Sequence, residues 1–282
     1  MERYTINDFN SQFPNDSACL EYLKNYLYSN GIYCKPCQKI TPHSRLTKRM
    51  AYSCNRCGNH VYPMVGTIFE GSRTSLKHWF YAMFLMSATR CGISAKQLQR
   101  ELGVTYKTAW RMFREIRTLM QISPQPMSGE VEIDDFYMGG KRPGKRGRGA
   151  EGKTPVLGIV QRKGRVAALA TTDLKSSTVF PIVKEHVLSE SMIYTDKYTT
   201  YDGLKKQGYA HKRVHHASKV WVVGNVHTNT IEGFWSLLKR GINGVYHAVS
   251  QKYLQNYVDE YAFRYNHRKD EQPMFLTILE KV

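Results

Sequence analysis

Negative charge is scarce in this chain. Its 282 residues carry 23 Asp and Glu against 41 Lys and Arg, a formal net charge of +18 at pH 7. The excess is spread along the whole length rather than held in a tail. That argues against a neutral surface and favours a polyanionic partner, nucleic acid first. The rival is a basic protein with no such partner. Long apolar runs are also missing. The most apolar stretch, Trp79 to Met86, falls far short of the ~20 residues a bilayer-spanning helix needs. The N-terminus, Met1-Glu2-Arg3-Tyr4-Thr5-Ile6-Asn7-Asp8, lacks the apolar segment of a secretory leader, so a soluble intracellular protein is expected. Cysteine is limited to six residues, which in such a compartment are not expected to form disulfides. No internal repeat is found.

What the chain does contain begins with an apolar stripe of Cys19, Leu20, Tyr22, Leu23 and Tyr26, which predicts a helix over 14–29, stopped by Asn30-Gly31. Four of the cysteines then fall in two pairs, Cys34-Lys35-Pro36-Cys37 and Cys54-Asn55-Arg56-Cys57, with sixteen residues between them. This is the spacing of a structural zinc ribbon, in which each pair sits on a tight knuckle and four thiolates close a tetrahedron around Zn²⁺. The intervening segment is basic and polar with almost no core of its own. Metal binding would have to supply the folding energy, on the order of 10–16 kcal/mol for such sites. Cys19 and Cys91 have no partner in sequence and are read as buried small hydrophobes.

Residues 75–90 predict an apolar helix through Leu76, Trp79, Phe80, Met83 and Phe84. A helix-turn-helix pattern follows. Ser94-Ala95-Lys96-Gln97 is a capping box, Leu102-Gly103-Val104 makes the turn, and Thr105 caps a second helix. In that helix Ala109, Phe113, Ile116 and Met120 share one face, and Lys107, Arg111 and Arg114 the opposite one. An apolar docking face with a basic face behind it suits a recognition helix, although an ordinary helical hairpin has the same pattern.

Ser123-Pro124-Gln125-Pro126-Met127-Ser128-Gly129 is a linker, after which helices give way to strands at 130–137, 156–162, 165–172 and 191–195. A Gly-rich basic loop, Gly139 to Gly149, lies between the first two and could hold a phosphate backbone or simply be solvated. Helices are predicted at 177–188, from about Thr199 to Gln207 and over 250–266, with a short strand near 210–215. This order predicts a layered α/β domain. Asp134 and Asp196 close two of the strands. Downstream, Asn229 to Arg240 is amphipathic at 100° per residue. Ile231, Phe234, Trp235 and Leu238 lie on one face, and Asn229, Glu232, Ser236, Lys239 and Arg240 on the other.

Three carboxylates on separate elements can converge on one or two divalent metals, a common arrangement for cutting or joining phosphodiesters. Two points stay open. Asp135 rivals Asp134, because neighbouring strand residues face opposite ways and alternation does not say which face holds a site. Asn229-x-x-Glu232 also reads as a capping box, which would give Glu232 a backbone role, and Asn229 could itself be the metal ligand. His215, His216 and His227 are expected to be solvated or bonded to backbone.

These motifs together carry a resemblance that spans nearly the whole chain. They are the paired cysteines, Gly66-Thr67-Ile68-Phe69-Glu70, Trp79-Phe80, Gly92-Ile93-Ser94 through Ala109-Trp110, and Glu132-Ile133-Asp134-Asp135 with Gly139-Gly140-Lys141. Tyr194-Thr195-Asp196, His227 through Trp235 and Arg264-Tyr265-Asn266 complete the set. The chain resembles bacterial insertion-sequence transposases of the DDE type with an N-terminal zinc ribbon, the IS-fifteen-ninety-five family.

The resemblance implies an RNase H-like catalytic domain that uses Mg²⁺ or Mn²⁺ on Asp134, Asp196 and Glu232, with Lys239 as the associated basic residue. It implies binding to the terminal inverted repeats of an element, cleavage of double-stranded DNA at its ends and transfer of the 3′-OH to target DNA. A homo-oligomer on DNA, no membrane, and a cytoplasmic, nucleoid-associated location in a bacterium follow. Lys107, Arg111, Arg114, Lys239 and Arg240 are the expected DNA contacts. One departure is Asp135, where the family often has Glu; the charge is kept. Some relatives use Asn as the third member, which keeps Asn229 in play.

The expected organisation is an N-terminal helical segment (1–30), a zinc ribbon (31–66), a helix-turn-helix domain (67–122), an α/β, RNase H-like catalytic domain (128–270) and a C-terminal tail (271–282). The alternatives are a DNA-binding regulator or domesticated protein whose nuclease fold is silent, and a nuclease without a joining step.

Overall fold

The computed structural model describes residues 4–89, 91–139, 152–214 and 227–282. The basic loop from Gly140 onward and His215 and His216 lie outside the described residues. The chain divides into two units, Met1–Leu119 with Asp270–Val282, and Met120–Lys269.

In the first unit the sequence pattern builds helices around one apolar rod. Helix α1 (Ile6–Gln12) was not predicted. It starts on a reciprocal capping box in which Thr5 and Asp8 each satisfy the other's backbone amide. Asn15 caps α2 (Asp16–Leu27) by accepting from the Ala18 amide at 3.0 Å. The ribbon comprises β1 (Tyr33–Cys34), β2 (Lys39–Ile40), β3 (His43–Arg45), β4 (Tyr52–Cys54) and β5 (His60–Val61), arranged as a two-stranded and a three-stranded antiparallel sheet. Helix α3 (Leu76–Ala88) buries Leu76, Trp79, Phe80, Ala82, Met83, Phe84 and Met86, nearly its whole circumference, as expected of a central helix. Helices α4 (Ala95–Leu102) and α5 (Tyr106–Leu119) pack as a pair through Leu98, Leu102, Ala109, Met112, Phe113 and Ile116. Gly103 stands between them at φ 64°, a conformation that favours glycine.

The segment read as a C-terminal tail contains helix α9 (Met274–Leu279). Phe275 is buried there, with its ring 5.6 Å from Phe9, 5.7 Å from Phe13 and 6.0 Å from Phe84. Its apolar residues therefore complete the aromatic core of the first unit. Cys19 is buried as expected, but Cys91 is exposed, because the turn that follows α3 carries it outward.

The second unit is a five-stranded mixed sheet with helices on both faces. Its strands are β6 (Glu130–Met138), β7 (Thr154–Gln161), β8 (Val166–Ala170), β9 (Met192–Thr195) and β10 (Ala210–Arg213), in the order β10-β9-β6-β7-β8. The β6-β7-β8 run is antiparallel, whereas β9 pairs parallel with both β6 and β10. The parallel entry into β9 comes through α6 (Ser176–His186), and a 3₁₀ helix at Thr199–Gln207 leads to β10. Helix α7 (Asn229–Gly241) and helix α8 (Leu254–Asn266) cover the opposite face.

Strand β7 is buried on both sides and so divides two cores. Val156 and Val160 pack with Ile231, Phe234, Trp235 and Leu238 of α7. Leu157 and Ile159 pack with Val179 and Val183 of α6. The outward edge of β8 is closed by amide side chains of α8. Asn266 both donates to and accepts from the Val166 backbone at 2.9 and 2.7 Å, and Gln255 does the same for the Ala168 carbonyl and the Ala170 amide at 3.1 and 2.7 Å. An edge that would otherwise invite another strand is thus satisfied internally. Among the described residues no helix is long and apolar enough to cross a membrane.

Candidate acidic centre and cysteine cluster

Strand register brings two of the predicted carboxylates together. In the parallel pairing Ile133 of β6 stands opposite Thr195 of β9, and the next residue on each strand is an aspartate. Asp134 and Asp196, with 61 residues between them in sequence, are thereby brought close enough for the charge of Asp196 to act on Asp134. Burial, chiefly, raises the Asp134 carboxyl from 3.8 to about 7, and the charges of Asp135 and Asp196 add to the rise. The Trp235 indole of α7 opposes it by donating Nε1–H to Asp134 Oδ2 at 3.0 Å. Asp196 accepts the Tyr198 amide at 2.9 Å.

Asp134 and Asp135 meet different cores on the two faces of the sheet. Asp134 meets Trp235 on the α7 side. Asp135 accepts the hydroxyl of buried Tyr201 at 3.0 Å, and Tyr201 belongs to the core on the α6 side. The close approach of Trp235 depends on Gly158, which is paired with Asp134 in register. A Cβ at Gly158 would fall 2.6 Å from Trp235 Cη2 and 2.8 Å from Ile231 Cδ1, so only glycine leaves room for the indole.

Glu232 lies in the first turn of α7, exposed, and its carboxylate accepts the Thr228 hydroxyl at 2.9 Å. It is not drawn into a tight group with the two aspartates. Among the described residues, the four cysteines are the only set of three or more His, Cys, Asp or Glu ligand atoms lying within 4.8 Å of one another. The capping-box reading of Asn229 and Glu232 is also not realised. The cap is Thr228, and the Thr230 and Ile231 amides donate to Glu132, at 2.8 and 3.0 Å. Glu232 is therefore not used as a cap.

Lys239 is two turns further along α7, about 20° around the helix from Glu232. Its ammonium lies 5.1 Å from the ring centroid of Phe136, which shares the Asp134 face of β6. Ser236, Lys239, Arg240, Asn243 and Gly244 line an open groove beside it. Of the three basic residues predicted on α5, Lys107 and Arg114 are exposed, with Arg114 bonded to Glu115 at 3.1 Å. Arg111 is half-buried instead. It donates to Ser72 Oγ at 3.1 Å and stands 5.5 Å over the Trp79 ring.

In the first unit the four predicted thiols converge. Cys34 and Cys57 sulfurs are 3.4 Å apart, and Cys37 and Cys54 sulfurs 3.9 Å. A tetrahedral site with Zn–S bonds of about 2.3 Å has edges near 3.8 Å, so the set fits a structural zinc. The Thr41 hydroxyl lies 3.1 Å from Cys54 Sγ and is the largest cause that lowers this thiol. In the same set Cys34 is raised by burial and by its neighbouring sulfurs, and Cys37 by its neighbouring sulfurs and by burial. Zinc binding would displace the protons from all four thiols.

Sequence reasoning missed Glu132, Arg162 and the polar role of Trp235. The available signal was Glu132 itself, a carboxylate between Val131 and Ile133 in a strand whose neighbours are apolar on both sides.

Both halves of the chain point to one class of protein, the transposases. The family described as the ISXO2-like transposase domain matches residues 126–266, and the transposase zinc-ribbon domain matches residues 14–60. The chain belongs to this family of insertion-sequence transposases. It is similar to an uncharacterized protein in transposable element ISH50 of Halobacterium salinarum, 27% identical over 288 residues, covering 95% of this chain and 97% of the relative. It is also similar to an uncharacterized transposase-like protein of Haemophilus influenzae, 27% identical over 104 residues, covering 37% of this chain and 83% of that one. Among solved structures, a chain of the simian T-cell lymphotropic virus intasome in complex with PP2A regulatory subunit B56 gamma aligns over 67% of this chain and 66% of its own at 14% identity, with a TM-score of 0.32.

Proposed function

We propose that this transposase binds the terminal inverted repeats of its element, cleaves double-stranded DNA at the element ends and joins the freed 3′-OH to target DNA. Asp134, Asp196 and Glu232 are the acidic residues of that chemistry. The observation that carries the reading is the Ile133–Thr195 register, which sets two aspartates side by side on adjacent central strands. Three antiparallel strands continued by two parallel ones, with acidic residues where the sheet changes sense, support an RNase H-like domain.

The oxygen donor set suits a hard divalent cation, Mg²⁺ or Mn²⁺. Such a cation, when bound, would supply the charge that activates the attacking oxygen and stabilises the leaving one. The protein's own residues orient that centre. Trp235 orients the Asp134 carboxylate by donating its indole N–H to Oδ2. Glu232 is carried in on α7 with its carboxylate uncommitted to backbone. Lys239 and Arg240 line an exposed groove suited to DNA phosphates. The α4–α5 pair, with Lys107 and Arg114 exposed, supports a helix-turn-helix role in end recognition, alongside the ribbon. Joining two ends requires a dimer or larger assembly on DNA.

Asp196→Asn should abolish cation-dependent nicking of end-containing duplex while keeping DNA binding measured by fluorescence anisotropy. Cleavage that survives would overturn the assignment of Asp196. A wild-type chain that binds ends but never cleaves them, in either cation, would favour the silent regulator instead.

A further inference from the structure

The candidate carboxylates occupy positions 134, 196 and 232, and directly behind them lies a second polar layer. Glu132, Tyr194 and Thr230 each precede one of the three by two residues, on β6, β9 and the start of α7. These three elements meet in one network. The Glu132 side chain is fully buried, with 0% exposure. Its Oε2 accepts the Thr230 and Ile231 amides at 2.8 and 3.0 Å, and its Oε1 accepts the Thr230 hydroxyl at 3.0 Å and Arg162 Nε at 2.7 Å. Arg162, just past the end of β7, donates onward to the His227 carbonyl at 2.8 Å and to Glu130 at 3.3 Å, and lies 4.1 Å over the Tyr194 ring. Tyr194 in turn donates its hydroxyl to Glu130 at 2.7 Å, and Glu132 and Tyr194 are paired in register.

We propose that Glu132, held by Arg162, is a positioning residue that sets the register of α7 against the sheet and thereby places Glu232 relative to Asp134 and Asp196. This rests on the phosphoryl-transfer reading given above. Three physical arguments support it. First, helix amides at an N-terminus need acceptors and their dipole favours an anion, and both Glu132 oxygens are used in this way or on its counter-ion. Second, the cap comes from 98 residues upstream rather than from the helix's own cap residue, whose side chain caps nothing. A helix capped by its own residue can slide on a sheet without losing its cap, whereas one capped by a strand cannot. Third, a buried ion pair contributes little net stability compared with well-packed apolar residues, and its best-attested use is to fix register.

The test compares Glu132→Gln, Arg162→Lys and Thr230→Val with wild type and with Asp196→Asn, all as the full zinc-loaded chain. The Gln side chain is isosteric but offers one acceptor oxygen where two are used. Thr230→Val removes a single hydroxyl donor from the same carboxylate and keeps the shape of the side chain. For Glu132→Gln we expect amide exchange at Thr230 and Ile231 to quicken about tenfold while β6 and β7 amides stay unchanged. Its cleavage rate at saturating protein should fall about 10- to 100-fold, with no change in the protein concentration needed for half-saturation of DNA. Thr230→Val should show the same pattern at roughly threefold to tenfold. The Arg162→Lys variant keeps the charge and loses the planar fork, and should fall between the two.

Faster exchange with an unchanged cleavage rate would overturn the positioning role and leave Glu132 as a cap alone. Unchanged exchange would overturn the pin itself. Should Glu132→Gln fail to fold, Thr230→Val decides by the same two readouts. If Asp196→Asn is inactive while Glu132→Gln cleaves at the wild-type rate, this proposal alone fails. A wild type that cleaves nothing sinks the phosphoryl-transfer reading first, and the positioning role with it.

Discussion

Replacing Asp134 with asparagine should stabilise the cation-free protein above neutral pH while abolishing its proposed chemistry. Burial, with the charges of Asp135 and Asp196, lifts the carboxyl from 3.8 in the unfolded chain to about 7 in the folded one. A folded value above the unfolded one means the native state holds the proton more tightly. Unfolding free energy therefore falls as pH climbs from 3.8 to about 7, and the loss is complete above that window. The gap corresponds to roughly 4 kcal/mol of destabilisation at pH 8. Asparagine carries no charge and keeps an oxygen for the Trp235 N–H, so Asp134→Asn should gain roughly 2–4 kcal/mol there and little at pH 4.

Two other groups bend the wild-type curve in the same region. Burial raises Asp259 to about 6, which acts in the same sense. Burial lowers His211 to about 4, which removes stability as pH falls from 6.5 and so acts in the opposite sense. Subtracting wild type from variant cancels both. The assay is urea unfolding of the full zinc-loaded chain at several pH values, with magnesium absent. Mn²⁺ should then stabilise wild type by an amount that rises with the logarithm of its concentration above Kd, and leave the variant unmoved. A variant no more stable than wild type at pH 8, or a gap that does not widen between pH 4 and 7, would refute the reasoning.

Three further variants have expected outcomes. Thr41→Val removes the hydroxyl that stabilises the Cys54 thiolate, and should weaken zinc binding about tenfold in competition with a chromophoric chelator; Cys54→Ser should bind more weakly still. Gly158→Ala forces the Trp235 and Ile231 side chains away from β7, and should cost about 1–3 kcal/mol in chemical denaturation. It should also blue- or red-shift the Trp235 emission as the indole leaves Asp134, a change absent from Gly158→Ala made in a Trp235→Phe background.

Much of the second unit was legible because its signals are local. The strands at 130–138, 154–161, 166–170 and 192–195 follow runs of β-branched and apolar residues, and α7 carries its apolar stripe at Ile231, Phe234, Trp235 and Leu238 in plain view. The cysteine pairs were legible for a similar reason, since the two-residue spacing within each pair already builds a knuckle. Helix α9 was missed because six residues give too few turns to show a period, and its burial depends on Phe9, Phe13 and Phe84, which are remote in sequence. Arg111 was read as part of a basic helical face, but helical periodicity says only which residues share a face. That Ser72 and Trp79 stand beneath that face is a tertiary fact.

The amino-acid order by itself determined the four thiols, the positive balance of charge, the strand end that carries Asp196, and the stripe that carries Glu232 and Lys239. The expectation that Asp134 closes a strand is corrected, because pairing with β7 as far as Met138 leaves Asp134 in the middle of β6. Only the folded chain decided which aspartate faces α7, that a glycine makes room for the Trp235 indole, and that the helix is capped from β6 rather than by Asn229. The reason is physical. Periodicity is a property of neighbours along the backbone, whereas register and the partner of a buried carboxylate are set by which strands pair and which helix lies across them.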